Sequence, residues 1–209
     1  MVNKIYSIGY SGLSIQNFVE LLRHNGIQVV VDVRSVPYSK HFADYNKDNI
    51  QTLLYRYGVH YRNYAKEFGA RQEDTSYYSS EGFLDFEKFS LSDSFISGFN
   101  KLKASMEKDY TFVLMCSEKD PFECHRSIMV SRNFHTMGYQ VNHLLQNGYA
   151  ITQEEIEKRL LDKYFPNRAQ LSLETVSDIS TPEETTDFLT QAYRKRNSEI
   201  GYRLQEGKR

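Results

Sequence analysis

Both cysteines of the chain lie in one stretch, LMCSEKDPFECHRSIMVSRNF, which runs from Leu114 to Phe134. Cys116 closes an apolar run, and Cys124 is followed directly by His125 and Arg126. Three chemistries need such residues. The first is anion binding. A cation in the first turn of a helix opposes the macrodipole at a cost of ~0.3–1 kcal/mol, so Arg126 calls for a negative partner. Asp32, Glu118 and Glu123 are the internal candidates. A bound phosphate, sulfate or carboxylate on the helix N-terminus is the external one, and it is the stronger expectation.

The second is thiol chemistry. Cys124 at or just before a helix N-terminus, beside His125 and Arg126, is placed to hold a thiolate. The opposite reading, a covered and inert cysteine, stays open. Cys116 likewise reads either as a small buried apolar residue or as a thiol held at a strand end. Glu118 or His125 would handle protons. The third is a metal, which ranks last. Cys116, Cys124 and His125 could give three ligands, but Cys-x7-Cys-His is not a common zinc spacing and adjacent residues rarely aim at one ion. No residue is therefore assigned as a metal ligand, and no cofactor is named.

A second cluster reads DVRSVPYS, from Asp32 to Ser39. Asp32 and Arg34 share a strand face. They form either an internal salt bridge or a polar pair facing a cleft, with Arg34 as a second anion contact. Ser39, Lys40 and His41 follow in a donor-rich loop. Gly9, Tyr10, Ser11 and Ser14 surround the turn GYSG, which is too short to be a phosphate loop alone. His24, His60 and His135 read as structural.

Three loops must bring these residues together, and the elements around them say how. KIYSI, QVVVDV and YTFVLMC are apolar runs of strand length, the second and third suited to burial on both faces. Ser14 caps a helix carrying Ile15, Phe18, Val19 and Leu22, which stops at Gly26. Strand, helix and strand make a βαβ unit and a parallel pair. A helix capped by Asp44 or Asn46 carries Ile50, Leu53, Leu54 and Tyr57 and stops at Gly58. VHYRNY is the third strand. Residues 65–82 lack periodicity and are expected as a long loop. Phe83–Phe89, Asp93–Glu107 and about Cys124–Met137 are expected as helices. YQVNHLL is expected as the last strand, and Thr152 with Glu155 as the capping box of a helix Gln153–Tyr164. The sum is an α/β domain over residues 1–165, Rossmann-like, with a mostly parallel open sheet and helices on both faces. Ligands of such sheets bind outside the carboxyl ends of the strands, where GYSG, DVRSVPYS and CSEKDPFECHR all emerge.

After Pro166 aliphatic residues become scarce and charge is mixed. Residues 166–209 are expected as a polar C-terminal extension, mobile or loosely docked, with a helix near Thr186–Arg196. The 209 residues carry a formal net charge of −1, which gives no reason to expect nucleic acid or an anionic membrane as partner. No apolar run approaches the ~20 residues of a membrane helix. Two cysteines without an export signal read as intracellular thiols in a cytoplasmic protein.

The segments YSIGYSG, VVVDVRSVPYSKHFADYN, YGVHYRNY and the stretch from LMCSEKDPFECHR to GYQVNHL together resemble the bacterial and archaeal family called domain of unknown function 488, over about residues 4–164. The motif positions are Gly9, Tyr10, Asp32, Arg34, Pro37, Ser39, Cys116, Glu118, Cys124, His125 and Arg126. The resemblance implies an α/β fold and no established reaction. Many members have Leu-Gly-Gly where this chain has Phe68-Gly69-Ala70; if that turn meets a ligand, the alanine narrows the space. The strand-Cys-loop-Arg-Ser-helix order is also similar to rhodanese-like domains, whose loop cradles an anionic group, although the loop here is several residues longer. The expected function is binding of a small anionic or nucleotide-like ligand with cysteine-dependent chemistry. The alternatives are a non-catalytic nucleotide or nucleic-acid-end module with structural cysteines, and a Cys/His metal site.

Overall fold

The central strands of the sheet are short β-branched or apolar runs, and a helix follows every strand except β5. The computed structural model describes residues 4–168 and 182–204. Its sheet has six strands: β1 (Lys4–Gly9), β2 (Val29–Asp32), β3 (His60–Asn63), β4 (Phe112–Cys116), β5 (Gln140–Leu144) and β6 (Ala150–Thr152), in the order β3-β2-β4-β1-β5-β6. The first five are parallel, and β6 runs antiparallel to β5. The α/β class is as expected. The sixth strand is not, because three residues at a hairpin carry no readable alternation.

Alternation within the strands splits the core into two layers. Ile8, Val30, Val113, Met115 and Leu144 face α1 (Ile15–His24) and α2 (Lys47–Arg56), where Phe18, Leu22, Ile50 and Leu54 are buried. Ile5, Val31, Phe112, Leu114 and Val141 face the other layer. That layer contains α3 (Ala65–Phe68), α4 (Phe86–Ser90), α5 (Asp93–Met106), α6 (Arg132–Thr136), α7 (Gln153–Tyr164) and α8 (Pro182–Ile200). β1 and β4 are neighbours in the sheet, but the chain leaves β1 toward the first layer and β4 toward the second. Their carboxyl ends therefore border a crevice, the usual ligand position of an open α/β sheet. Gly9 pairs with Cys116 at that point.

Local signals account for most boundaries. Ser14 Oγ accepts from Asn17 N–H, and Thr152 with Glu155 forms a reciprocal capping box before α7. Asn46 is the N-cap of α2, but its side chain accepts Ser39 N–H at 2.6 Å instead of capping the helix. Three expectations change. The long loop 65–82 contains α3 and a 3-10 turn, Thr75–Tyr77. The helix expected at Phe83–Phe89 starts only at Phe86, because Phe83 and Leu84 bridge to Arg203 and Tyr78. The helix expected from Cys124 is a π-helical turn, Arg126–Ser131, that continues as α6.

The helix expected near Thr186–Arg196 is the longer α8, in which Ala192, Tyr193, Arg196 and Asn197 are buried. Asn197 accepts Phe86 N–H and donates to the Leu84 carbonyl, each at 2.8 Å. Residues 169–181 and 205–209 of the extension lie outside the described residues.

A buried polar chain crosses this second layer. The Gln153 amide donates to Tyr193 Oη at 2.9 Å, so its oxygen must accept from His143 Nε2 at 2.8 Å. His143 Nδ1 is then the acceptor for Ser7 Oγ at 2.6 Å, and Ser7 in turn accepts Arg126 Nε at 3.3 Å. Burial, aided by the charge of Arg126, holds His143 neutral and lowers its pKa from 6.5 to about 3. The unfolded chain thus takes up this proton first as pH falls, and stability is lost from pH 6.5 down toward 3. His143→Gln removes the proton site. Between pH 6.5 and 4.5 the wild type is expected to lose roughly 2–3 kcal/mol more than the variant in urea titrations. Equal losses would show that His143 is not held neutral.

Candidate functional site

The site is built by a loop that folds back on the helix following it. After Cys116 the chain makes a 3-10 turn, Pro121–Glu123, capped by Asp120, whose Oδ1 accepts Phe122 N–H at 2.9 Å. Cys124 is extended (φ −133°, ψ 137°) and His125 helical (φ −58°, ψ −26°). Arg126 follows, wholly buried. Its Nη1 donates to the Glu118 carbonyl at 2.6 Å and its Nη2 to the Lys119 carbonyl at 3.4 Å. Of its own loop it is the carbonyl oxygens that face Arg126, and they carry partial negative charge of the kind the dipole argument asks for. Gly9 underlies the same loop. A Cβ there would overlap the Glu118 carbonyl, so Gly9 serves close backbone approach.

Four side chains converge under this loop. Glu118 Oε2 accepts from Cys116 Sγ and from Cys124 Sγ, both at 2.9 Å. His125 Nδ1 stands 3.9 Å from each sulfur. The donor atoms of Cys116, Glu118, Cys124 and His125 all lie within 4.8 Å of one another. His125 Nε2 is 3.0 Å from the Val33 carbonyl, which can only accept, so Nε2 carries a proton and Nδ1 is the atom offered to the sulfurs. Both cysteines are free and buried. The ranking of a metal last rested on an uncommon ligand spacing and on adjacent residues rarely aiming at one ion. The switch from extended to helical backbone between Cys124 and His125 turns both inward instead.

Burial opposes the Glu118 carboxylate, yet His125 and the two thiols bring its pKa down to about 2. Burial also opposes a Cys124 thiolate, but the hydrogen bond from Cys116 and the charge of Arg126 lower it to about 6. Cys116 is pushed well up by burial and by its partner thiol. His125 is lowered by burial and raised more strongly by Cys124 and Glu118.

The Asp32–Arg34 pair takes its internal reading. Arg34 Nη2 lies 2.6 Å from Asp32 Oδ2, and Nε adds bonds at 2.9 and 3.1 Å to both carboxylate oxygens. Tyr61 donates to Asp32 at 2.6 Å. The remaining Arg34 donors reach Tyr10 Oη at 2.9 Å and the Tyr45 carbonyl at 2.8 Å. Tyr10 stacks on Tyr45 with centroids 4.2 Å apart. Ser39 Oγ accepts the N–H groups of His41 and Phe42, each at 3.2 Å.

Above these residues lies a cleft of about 490 Å³, lined by Tyr10, Arg34, Ser39, Cys116, Glu118 and His125 among others. Gly9, Asp32, Cys124 and Arg126 lie behind its surface. A larger cavity of about 760 Å³ lies near Lys119, Leu145 and Arg159, away from the thiols.

A family model, Domain of unknown function DUF488, matches residues 14–132, more than half of the chain. The chain belongs to this family. No curated protein and no solved structure matches the chain significantly.

The DUF488 segment contains Asp32, Arg34 and the whole loop from Cys116 to Arg126, and it ends where α6 begins. The site extends beyond it. Ile200 and Tyr202 line the cleft with Ser35, Ala70 and Arg71. Ala70, in the turn Phe68-Gly69-Ala70, thus faces the cleft. Arg71 sits in a segment without periodicity, and Tyr202 in the extension. Only the donor-rich turn near Ser35 gave a sequence signal for these residues. Arg196 of α8 donates to the Phe122 carbonyl at 3.0 Å, lies 4.4 Å over the Phe122 ring and pairs with Glu123, bracing the turn before Cys124.

Arg126→Met would leave the Glu118 and Lys119 carbonyls without donors. It is expected to destabilise the fold by roughly 2–4 kcal/mol and to speed alkylation of both thiols. Arg126→Lys should recover only part, since one ammonium cannot replace the fork. A wild-type urea midpoint for Arg126→Met would mean that the loop holds itself.

Proposed function

We propose that the protein holds a divalent metal ion of the zinc type at the floor of the switch-point cleft, with Cys116, Glu118, Cys124 and His125 as ligands. The observation that carries this is the convergence of four donor atoms within 4.8 Å. Two thiolates, an imidazole and a carboxylate suit borderline-soft zinc better than calcium or magnesium. The hydrogen bond from His125 Nε2 to Val33 supports it, because a metal-bound histidine usually gives its other N–H to such an acceptor. The buried carboxylate and low-pKa thiol need a cation, and the ion takes the place of the protons they share.

Cys116, Glu118 and His125 border the cleft, with Cys124 behind them. The ion is thus within reach of a bound molecule, and Glu118 is the hard donor that such a molecule would displace. In this reading the ion acts as a Lewis acid toward a small polar ligand. The second reading is metal-free thiol chemistry, favoured by the lowered pKa of Cys124, with His125 and Glu118 moving protons.

Protein purified without an affinity tag is expected to carry about one equivalent of zinc by elemental analysis. A strong chelator should lower Tm by about 5–10 °C, and zinc should restore it. Glu118→Gln, Cys124→Ser and His125→Ala should each reduce zinc content and shrink the chelator effect. Protein that takes up no zinc, keeps its Tm in chelator and is alkylated rapidly at Cys124 near neutral pH would replace the metal centre with the thiol reading.

A further inference from the structure

Three hydroxyl groups on the cleft share a property that the metal does not require. Tyr10 Oη accepts from Arg34 at 2.9 Å. Ser35 Oγ accepts the backbone N–H of Arg71 at 2.8 Å. Ser39 Oγ accepts two backbone N–H groups at 3.2 Å. In each case the protein donates to the oxygen, and none of the three donates to an acceptor among the described residues. Each hydroxyl therefore keeps its proton free to donate, and Ser39 Oγ, with both lone pairs engaged, can offer nothing else. Burial keeps the Tyr10 phenol protonated, so it remains a donor.

The charges around the cleft point the same way. Its two carboxylates are committed, Glu118 to both thiols and Ser117, and Glu123 to Arg196. Arg71 lies 4.5 Å over the Tyr202 ring and has no carboxylate partner among the described residues. The wall made by Tyr10, Ser35, Ser39 and Arg71 therefore presents three O–H donors without an acceptor among the described residues, and a cation.

We infer that this wall binds an oxyanion, a phosphate or carboxylate group of a small molecule, beside the Cys116–Glu118–Cys124–His125 centre. An oxyanion is the ligand group that is acceptor-only on every oxygen, and hydrogen bonds to it are about twice as strong as neutral ones. The volume of about 490 Å³ admits a phosphorylated metabolite or a mononucleotide. Phe42 on the wall and Tyr38, 64% exposed at the rim, offer aromatic surface to the uncharged body of such a molecule. Anion binding is thus carried by residues other than Arg126. The inference stands on the hydroxyl wall and not on the metal.

The test measures binding of inorganic phosphate, AMP, succinate and adenosine to the full chain by calorimetry and thermal shift, with zinc present and after chelation. Phosphate and AMP, or succinate if the site prefers carboxylate, should bind and stabilise the protein, and adenosine should not. Tyr10→Phe, Arg71→Met and the double variant Ser35→Ala/Ser39→Ala should each weaken binding about tenfold or more. Lys158→Met, at the other cavity, should leave it unchanged. Arg71 is exposed, so its variant is the one that folding defects cannot confound. Absence of binding by all three anions overturns the inference. Binding that needs zinc but ignores the wall variants also overturns it and leaves the metal centre standing. Binding that is lost in the wall variants and indifferent to zinc upholds it even if the metal reading fails.

Discussion

The site depends on one buried guanidinium. Among the described residues Arg126 has no carboxylate partner, and it is wholly enclosed, a costly arrangement unless its nitrogens are given acceptors. The carbonyls of Glu118 and Lys119 and the hydroxyl of Ser7 are those acceptors. Fixing the Glu118 carbonyl fixes the backbone that carries the Glu118 side chain. Arg126 also stands immediately after Cys124 and His125. One interaction thus joins the start and end of the loop and brings four donors from one segment to one point. The sheet supplies the other half of the constraint. Gly9, paired with Cys116, lets the loop lie directly on β1, and Val33 at the end of β2 anchors the imidazole.

Charge balance ties this geometry to the proposed ion. Two thiolates, one carboxylate and a neutral imidazole around a divalent ion leave one negative charge over. Arg126, behind the same loop, offsets it. Without an ion the same groups must share protons instead, and the directions of their shifts express that. Glu118 stays ionised, one thiol is favoured as thiolate and the other disfavoured. Burying such a set is unfavourable in low dielectric unless a cation compensates it. The Asp32–Arg34 pair makes no such demand, since each of its groups already has its partner.

The fold was largely legible because its signals are local. Val29–Val31, Phe112–Met115 and the Ser14 and Thr152 caps specify strands and helix starts within a few residues. The gathering of site residues at one sheet edge followed from parallel topology. The convergence was not legible. Whether Cys124 and His125 aim together depends on a change of backbone conformation between neighbours, which residue type does not reveal. The role of Arg126 was half legible. The dipole argument asks for negative charge, but carbonyls of a returning loop meet that need as well as an anion does, and sequence cannot rank the two. β6 was lost to its length. Arg71 and Tyr202 were missed because their position depends on docking of distant segments.

That docking extends the site beyond the family's common segment. The matched residues contain all four donors and the arginine that shapes their loop. Yet the turn spacing Glu118 from Cys124 is held on its outer side by Arg196, and Tyr202 closes the cleft over Arg71. The buried chain from Arg126 through Ser7, His143 and Gln153 also ends on Tyr193 of the same helix. α8 and the residues just after it therefore reach the site by three separate routes, through Arg196, Tyr193 and Tyr202. A family core can supply donors from a short motif. The rigidity that keeps them at ligand distance comes here from a segment that the motif does not include.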